Sequence, residues 1–238
     1  MISVFGMDRE KPVPFKFGRF REIHANYLKK MLMEKYDDPT EVIKVVGVGG
    51  VGRRALSMYA YENKLIKKHF HVRVRVNIPA GISDTSIVEE INKELGKESS
   101  IRRLQAVHSR CLVVIDSPIS MTTWGKVEPE WLNITGKGCK ILLPWGSMHE
   151  GKNGSIIELG HLLHKAATII LFDRVYMFCS MRGTTYPTKE MDMIRNNIMQ
   201  ITGGLPLAVV ILAKLMRIMD LSKWGAACAY LISYDGDT

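Results

Sequence analysis

Val45-Val-Gly-Val-Gly-Gly-Val-Gly-Arg-Arg-Ala-Leu56 is the stretch on which the reading of this chain turns. Val42 to Val48 is an almost unbroken apolar run, the pattern of a parallel strand covered on both faces. Gly47 to Gly52 interrupts it, and a helical period from about Arg53 to Lys68 follows. The spacing of Gly47 and Gly52 is that of a phosphate-binding loop, GxxxxGK[ST]. Such a loop needs glycine because the backbone must wrap an anion closely and turn its N–H groups inward. The helix that starts there adds its positive dipole end and its unpaired N–H groups. Gly47, Val48, Gly49, Gly50, Val51 and Gly52 are therefore the candidate phosphate-binding residues, with Arg53, Arg54 and Ala55 at the start of the helix.

The side chains of this motif depart from the pattern. Arg53 stands in the place of the loop lysine and keeps the charge, but a planar fork does not mimic an ammonium point charge. Arg54 stands where a Ser or Thr hydroxyl would hold a metal, and it supplies no oxygen. Downstream, Leu112-Val-Val-Ile-Asp116 is an apolar strand ending in an acid, as a Walker B segment requires. In a working nucleoside triphosphatase this acid holds Mg²⁺ and a neighbouring group orients the attacking water. Asp116 is thus the candidate for a vestigial Mg²⁺ site, and position 117, where a second acid commonly follows, is Ser117. Three of the four side chains that make hydrolysis work are altered while the backbone cradle is kept. The expectation is a site that holds phosphate and does not catalyse.

Outward from this motif, apolar or alternating segments at Val42–Val48, Val72–Ile78, Leu112–Ile115, Lys140–Leu143 and Ile156–Leu159 read as strands. Helical periods run from about Phe20 to Lys35, Arg53 to Lys68 and Asp84 to Leu95. Strands alternating with helices predict an α/β fold, a parallel sheet with helices on both faces. From His161 onward only helical periods occur, at about 165–179, 188–201, 205–218 and 222–233. The organisation expected is an extended lead-in at 1–16, a nucleotide-binding domain at 17–160 and a helical subdomain at 161–238.

The 238 residues carry 33 Lys and Arg against 24 Asp and Glu, a formal charge of +9. That balance favours anionic partners in general. The basic clusters Lys67-Lys68 and Arg102-Arg103 are short, and no nucleic-acid module accompanies them, so no nucleic acid is expected. Cys111, Cys139, Cys179 and Cys228 lie far apart with no CxxC pair, which points to buried reduced thiols in the cytosol. The longest apolar run, Leu205 to Ala213, is too short for a bilayer span, and the start lacks a signal-peptide pattern, so a cytoplasmic location is expected. His161 and His164 lack a third ligand and read as a surface pair.

With these motifs in view, the chain resembles the NB-ARC nucleotide-binding region of plant NLR immune receptors, kin to apoptotic protease-activating factor. Val45 to Leu56 is similar to the family's VVGVGGVGKTTLA except at Arg53, Arg54 and Ala55. His69 to Val76 is similar to the HFDxRAWV strand, and Arg110 to Asp116 to (K/R)YLLVLDD. Gly138 to Gly146 resembles GSRIIVTTR, with Gly146 in place of the arginine that senses the γ-phosphate in the family. Gly203-Gly-Leu-Pro-Leu-Ala208 is an intact GGLPLA. Phe17-Gly18-Arg19 looks like the segment that lines the adenine pocket, and Trp124 falls where the family has a tryptophan. Met148-His149-Glu150 precedes GLPLA and reads as a loop rather than as the family's MHD motif.

The resemblance implies a P-loop NTPase fold of the STAND/AAA-like type followed by a small ARC1-like helical subdomain. It implies that Pro206 lies against the bound nucleotide. It also implies ADP as the ligand, Mg²⁺ as an uncertain companion, and other NLR or defence-signalling proteins as partners. The chain is too short before the loop for a signalling domain and ends before the MHD subdomain, so a truncated, degenerate module is expected, with hydrolysis lost. The alternative is a nucleotide-free interaction scaffold or decoy in which Arg53 and Arg54 fill the phosphate site themselves or pair with Asp116.

Overall fold

The computed structural model describes residues 22–34, 40–77, 110–116, 121–134, 138–145, 155–181 and 188–233, with isolated positions 86, 89 and 93. Five strands form one sheet: β1 (Glu41–Val46), β2 (Val72–Val76), β3 (Cys111–Ile115), β4 (Cys139–Trp145) and β5 (Ser155–Glu158). Their order is β2-β3-β4-β1-β5 and every pairing is parallel. β4 therefore separates the strand before the glycine turn from the strand that ends at Asp116.

The apolar runs have the physical consequence expected of them. All five residues of β3 and all seven of β4 are buried. Alternate residues feed two cores. Val42, Val46, Val113, Ile141 and Leu143 face Trp124 and Val127 of the helix α4 (Met121–Ile134). Ile43, Val45, Leu112, Val114 and Leu142 face the helices α1 (Glu22–Met33), α2 (Arg53–Glu62) and α3 (Lys64–His69) through Leu28, Leu56 and Ile66. The sheet is thus covered on both sides, as the sequence predicts. β2 alternates as read: Val72, Val74 and Val76 are buried, Arg73 is half-buried and Arg75 is exposed.

Two local departures have clear causes. The single helix expected from Arg53 to Lys68 is broken at Asn63, whose backbone is extended and whose side-chain oxygen accepts from the N–H groups of Leu65 and Ile66. An asparagine that caps one helix ends the preceding one. α4 was not anticipated, because Gly125 and Pro129 interrupt its period. The segment Asp84–Leu95 lies largely outside the described residues.

The helical half comprises α5 (His164–Met181), α6 (Thr188–Thr202), α7 (Pro206–Ile218), a 3₁₀ turn at Leu221–Lys223 and α8 (Trp224–Ser233). Its own core gathers Leu162, Ile170, Leu171, Ile194, Ile198, Val209, Leu212 and Trp224. Cys111, Cys139 and Cys228 are buried and form no disulfide, in keeping with the sequence reading, while the side chain of Cys179 lies outside the described residues. Burial pushes the Cys228 thiol up to about 11. Native Cys228 is therefore expected to resist a disulfide-exchange reagent at pH 8 and to react at once after denaturation, which thiol titration with and without urea reads directly.

Candidate functional site

The glycine turn and Asp116 both lie at the carboxyl ends of parallel strands, where open α/β sheets place their ligand crevice. Gly47, Gly50 and Gly52 have φ of +146°, +79° and +102°. Gly47 is irreplaceable on steric grounds as well: a Cβ there would stand 2.6 Å from the Leu159 carbonyl oxygen and 2.8 Å from a Val51 methyl. Leu159 in turn donates its N–H to Val46, so the turn is braced against the end of β5. Inside the turn, Val51 N–H donates to the Val48 carbonyl at 3.2 Å. Gly52 is the N-cap of α2 in the left-handed conformation and offers no side-chain cap. Among the described residues, the N–H groups of Gly49, Gly50, Gly52 and Arg53 have no hydrogen-bond acceptor within the protein. Val48 and Gly49 are exposed, and Gly49 has open space around its Cβ position. Unsatisfied backbone donors at an uncapped helix start, open to solvent, are what an anion requires. The cradle fits a phosphate group.

The helical half closes on this turn. Gly203 and Gly204, both with positive φ, lead to extended Leu205, after which Pro206 opens α7 in the first turn, where proline is tolerated. Leu207 N–H donates to the Gly50 carbonyl at 3.2 Å, and a Cβ on Gly50 would meet the Leu207 Cβ at 2.9 Å. Leu205 packs against the core under the turn. The intact GGLPLA segment therefore sets buried Pro206 between two residues that touch Gly50 or its supporting core. Ala55 is half-buried and its neighbour Leu56 is fully buried beneath the sheet. Phe17, Gly18, Arg19, Ser117, Gly146 and the Met148–Glu150 stretch lie outside the described residues.

The two arginines of the loop turn away from one another. Arg53 donates from Nη1 to the Trp145 carbonyl at the end of β4, and partial burial pushes its pKa down from the ordinary arginine value. Trp145 is itself buried, with Lys44 lying 5.1 Å from the centroid of its ring. Arg54 reaches across β4 to Asp116. Its Nη2 donates to Oδ2 at 2.9 Å, and its Nε stands 2.6 Å from Oδ1, an ionic contact without the alignment of a hydrogen bond. Arg75 completes the group from β2: its Nε donates to Oδ2 at 3.0 Å and its Nη2 to the same oxygen.

The Asp116 side chain is completely buried. A carboxylate in that position is tolerable only when paired, and here two guanidiniums pair with it. Mg²⁺ does not fit this arrangement. Position 54 offers no oxygen, the carboxylate is engaged by both arginines, and a divalent cation on the same oxygens would face two positive charges. The vestigial metal role expected of Asp116 is thus replaced by an ion triad, one half of which, Arg54 with Asp116, is the pairing the alternative reading anticipates. Arg75 is the residue that sequence reasoning missed. The signal available in the sequence is the alternation of Arg73 and Arg75 with the valines of β2, which puts both arginines on one face of the strand.

Among the described residues no cluster of three or more His, Cys, Asp or Glu could hold a metal, and His164 instead contacts the Arg195 carbonyl at 2.8 Å. No helix among them is long and apolar enough to cross a membrane.

The chain is similar to plant disease resistance proteins. The probable disease resistance protein At1g59620 of Arabidopsis thaliana is 25% identical over 219 residues, 83% of this chain and 24% of the relative. Disease resistance protein RPP13 of the same plant is 23% identical over 223 residues, 84% of this chain and 26% of its own length. The chain thus spans about a quarter of the length of these curated relatives. In fold it is similar to Cdc6p from Pyrobaculum aerophilum, with a TM-score of 0.58 at 16% identity over 87% of this chain and 64% of that one. It is also similar to C. elegans PCH-2, with a TM-score of 0.53 at 11% identity over 93% of this chain and 68% of that one. The NB-ARC domain model matches residues 21–144, more than half of the sequence, a span that includes the glycine turn and Asp116 and ends within β4. The chain belongs to the NB-ARC family.

Proposed function

We propose that this chain is a degenerate adenine-nucleotide-holding module of the plant immune-receptor type, which retains ADP weakly and turns over ATP negligibly. The observation that carries the reading is the glycine turn, where the N–H groups of Gly49, Gly50, Gly52 and Arg53 can meet a phosphate while both adjacent arginine side chains are engaged elsewhere. Holding needs those N–H groups and the helix start; hydrolysis also needs a metal and a group on the γ-phosphate. Arg54, Ser117 and Gly146 stand where those requirements would be met. The family and the disease-resistance relatives support a cytoplasmic role in defence signalling, exercised through contact with other receptors of the same kind.

Arg54 pairing with Asp116 favours a second reading, a scaffold that works without nucleotide. The two separate on thermal melts of the full chain. A ligand that binds only the folded form stabilises it by about 2.7 kcal/mol at a hundred times its Kd. Millimolar ADP is expected to raise the melting temperature by a few degrees, and phosphate release from ATP is expected to stay at the buffer background. No ADP-dependent rise would favour the scaffold. Turnover that follows protein concentration would remove the claim of lost hydrolysis.

A further inference from the structure

We infer that the divalent cation of this fold has been replaced from within: Arg54 and Arg75 close an ion triad on Asp116, the chain takes up no divalent metal there, and any phosphate at the glycine turn is held metal-free. Only the last clause rests on the nucleotide-holding reading. The triad itself rests on geometry. Asp116 is buried with no exposed side-chain surface, so its charge cannot be balanced by solvent. Arg54 spans it with two nitrogens, and Arg75 brings two more to Oδ2. Oδ2 therefore receives donors from both arginines and Oδ1 is covered by Arg54, so a cation at this carboxylate would have to displace Arg54 first.

The placement also explains why a cation is dispensable. A metal in this fold neutralises phosphate charge next to the helix start. Arg54 belongs to the first turn of that same helix, and its side chain remains 64% exposed while it holds Asp116. With Arg75 39% exposed and Asp116 counted once, the triad carries a net charge of +1 beside the turn. A bound diphosphate thus finds its positive partner in the protein, and Mg²⁺ in solution competes for the free nucleotide instead of assisting it.

The test uses the full chain and Mn²⁺ as the metal probe, read by electron paramagnetic resonance of free Mn²⁺ without nucleotide. Wild type and Asp116→Asn are expected to give the same small uptake. Arg54→Ser, which frees one edge of the carboxylate and supplies a hydroxyl, is expected to gain affinity by about tenfold. Wild-type uptake that Asp116→Asn abolishes would overturn the triad, as would Arg54→Ser without gain. If Asp116→Asn is too unstable to assay, Arg54→Ser still decides. In a second arm, ADP-dependent melts are compared in EDTA and in Mg²⁺. A rise in EDTA at least as large as in Mg²⁺ supports metal-free holding, and a rise that needs Mg²⁺ overturns it. A rise in neither buffer sinks the nucleotide reading, and the Mn²⁺ arm then decides the triad alone.

Discussion

Asp116→Ala is expected to lower the stability of the folded chain by about 3 kcal/mol, because it leaves two guanidiniums facing each other at the strand ends without their anion. The partners limit the effect: Arg54 is mostly exposed and Arg75 partly so, and both can be hydrated once released. For a chain of this size about 3 kcal/mol corresponds to a fall of roughly 6–12 °C in melting temperature. The pairwise character of the triad is read by a double-mutant cycle of Asp116→Ala with Arg54→Ala. Residues in one ion network couple by roughly 0.5–3 kcal/mol. Additive losses would mean that Arg54 does not act on Asp116, whatever the single substitutions cost.

Gly47→Ala is expected to cost about 2–5 kcal/mol, from backbone strain at positive φ and from overpacking. At φ +146° an L side chain is strained whatever the space, and here the space is filled by the Leu159 carbonyl oxygen and Val51. Chemical denaturation would register the loss as a lower midpoint at unchanged slope. Gly49→Ala is the internal control: its Cβ meets nothing within 4 Å and it has no positive φ, so its stability is expected to match wild type. Equal losses at both positions would show that the turn is not locked against β5. A fall in ADP affinity confined to Gly49→Ala would place its backbone directly against the phosphate.

The sheet and the turn were legible in the sequence because their signals are local and physical. An apolar run such as Leu112–Ile115 can be satisfied only by burial on both faces, and the Gly47–Gly52 spacing can follow a strand only as a turn. GGLPLA was equally readable, since two left-handed glycines followed by a first-turn proline fix the start of α7 by backbone restriction alone. The helix over Met121–Ile134 was not, because only Thr123, Trp124 and Val127 of its described side chains are buried, too few to announce a stripe. The break at Asn63 was missed because the apolar period continues across it into Leu65 and Ile66. The triad could be seen only in part. That Arg54 lacks a metal-binding oxygen is a matter of residue type. That Arg75, 41 positions before Asp116, comes to the same carboxylate depends on β2 pairing with β3 in register from Val72–Cys111 to Val76–Ile115.

Among the described residues β2 is the outermost strand on its side of the sheet, and its arginines have a consequence for self-association. Such a margin offers unpaired backbone groups to any passing chain, and charged residues are a common defence against that hazard. Arg73, whose guanidinium donates to the Tyr61 carbonyl at 2.9 Å, and Arg75, fastened to Asp116, hold two cations beside this border. A second molecule seeking to extend the sheet there would bring its own Arg73 and Arg75 against them. The side chain that fastens Asp116 thus also sets charge along this border, a common defence against self-pairing.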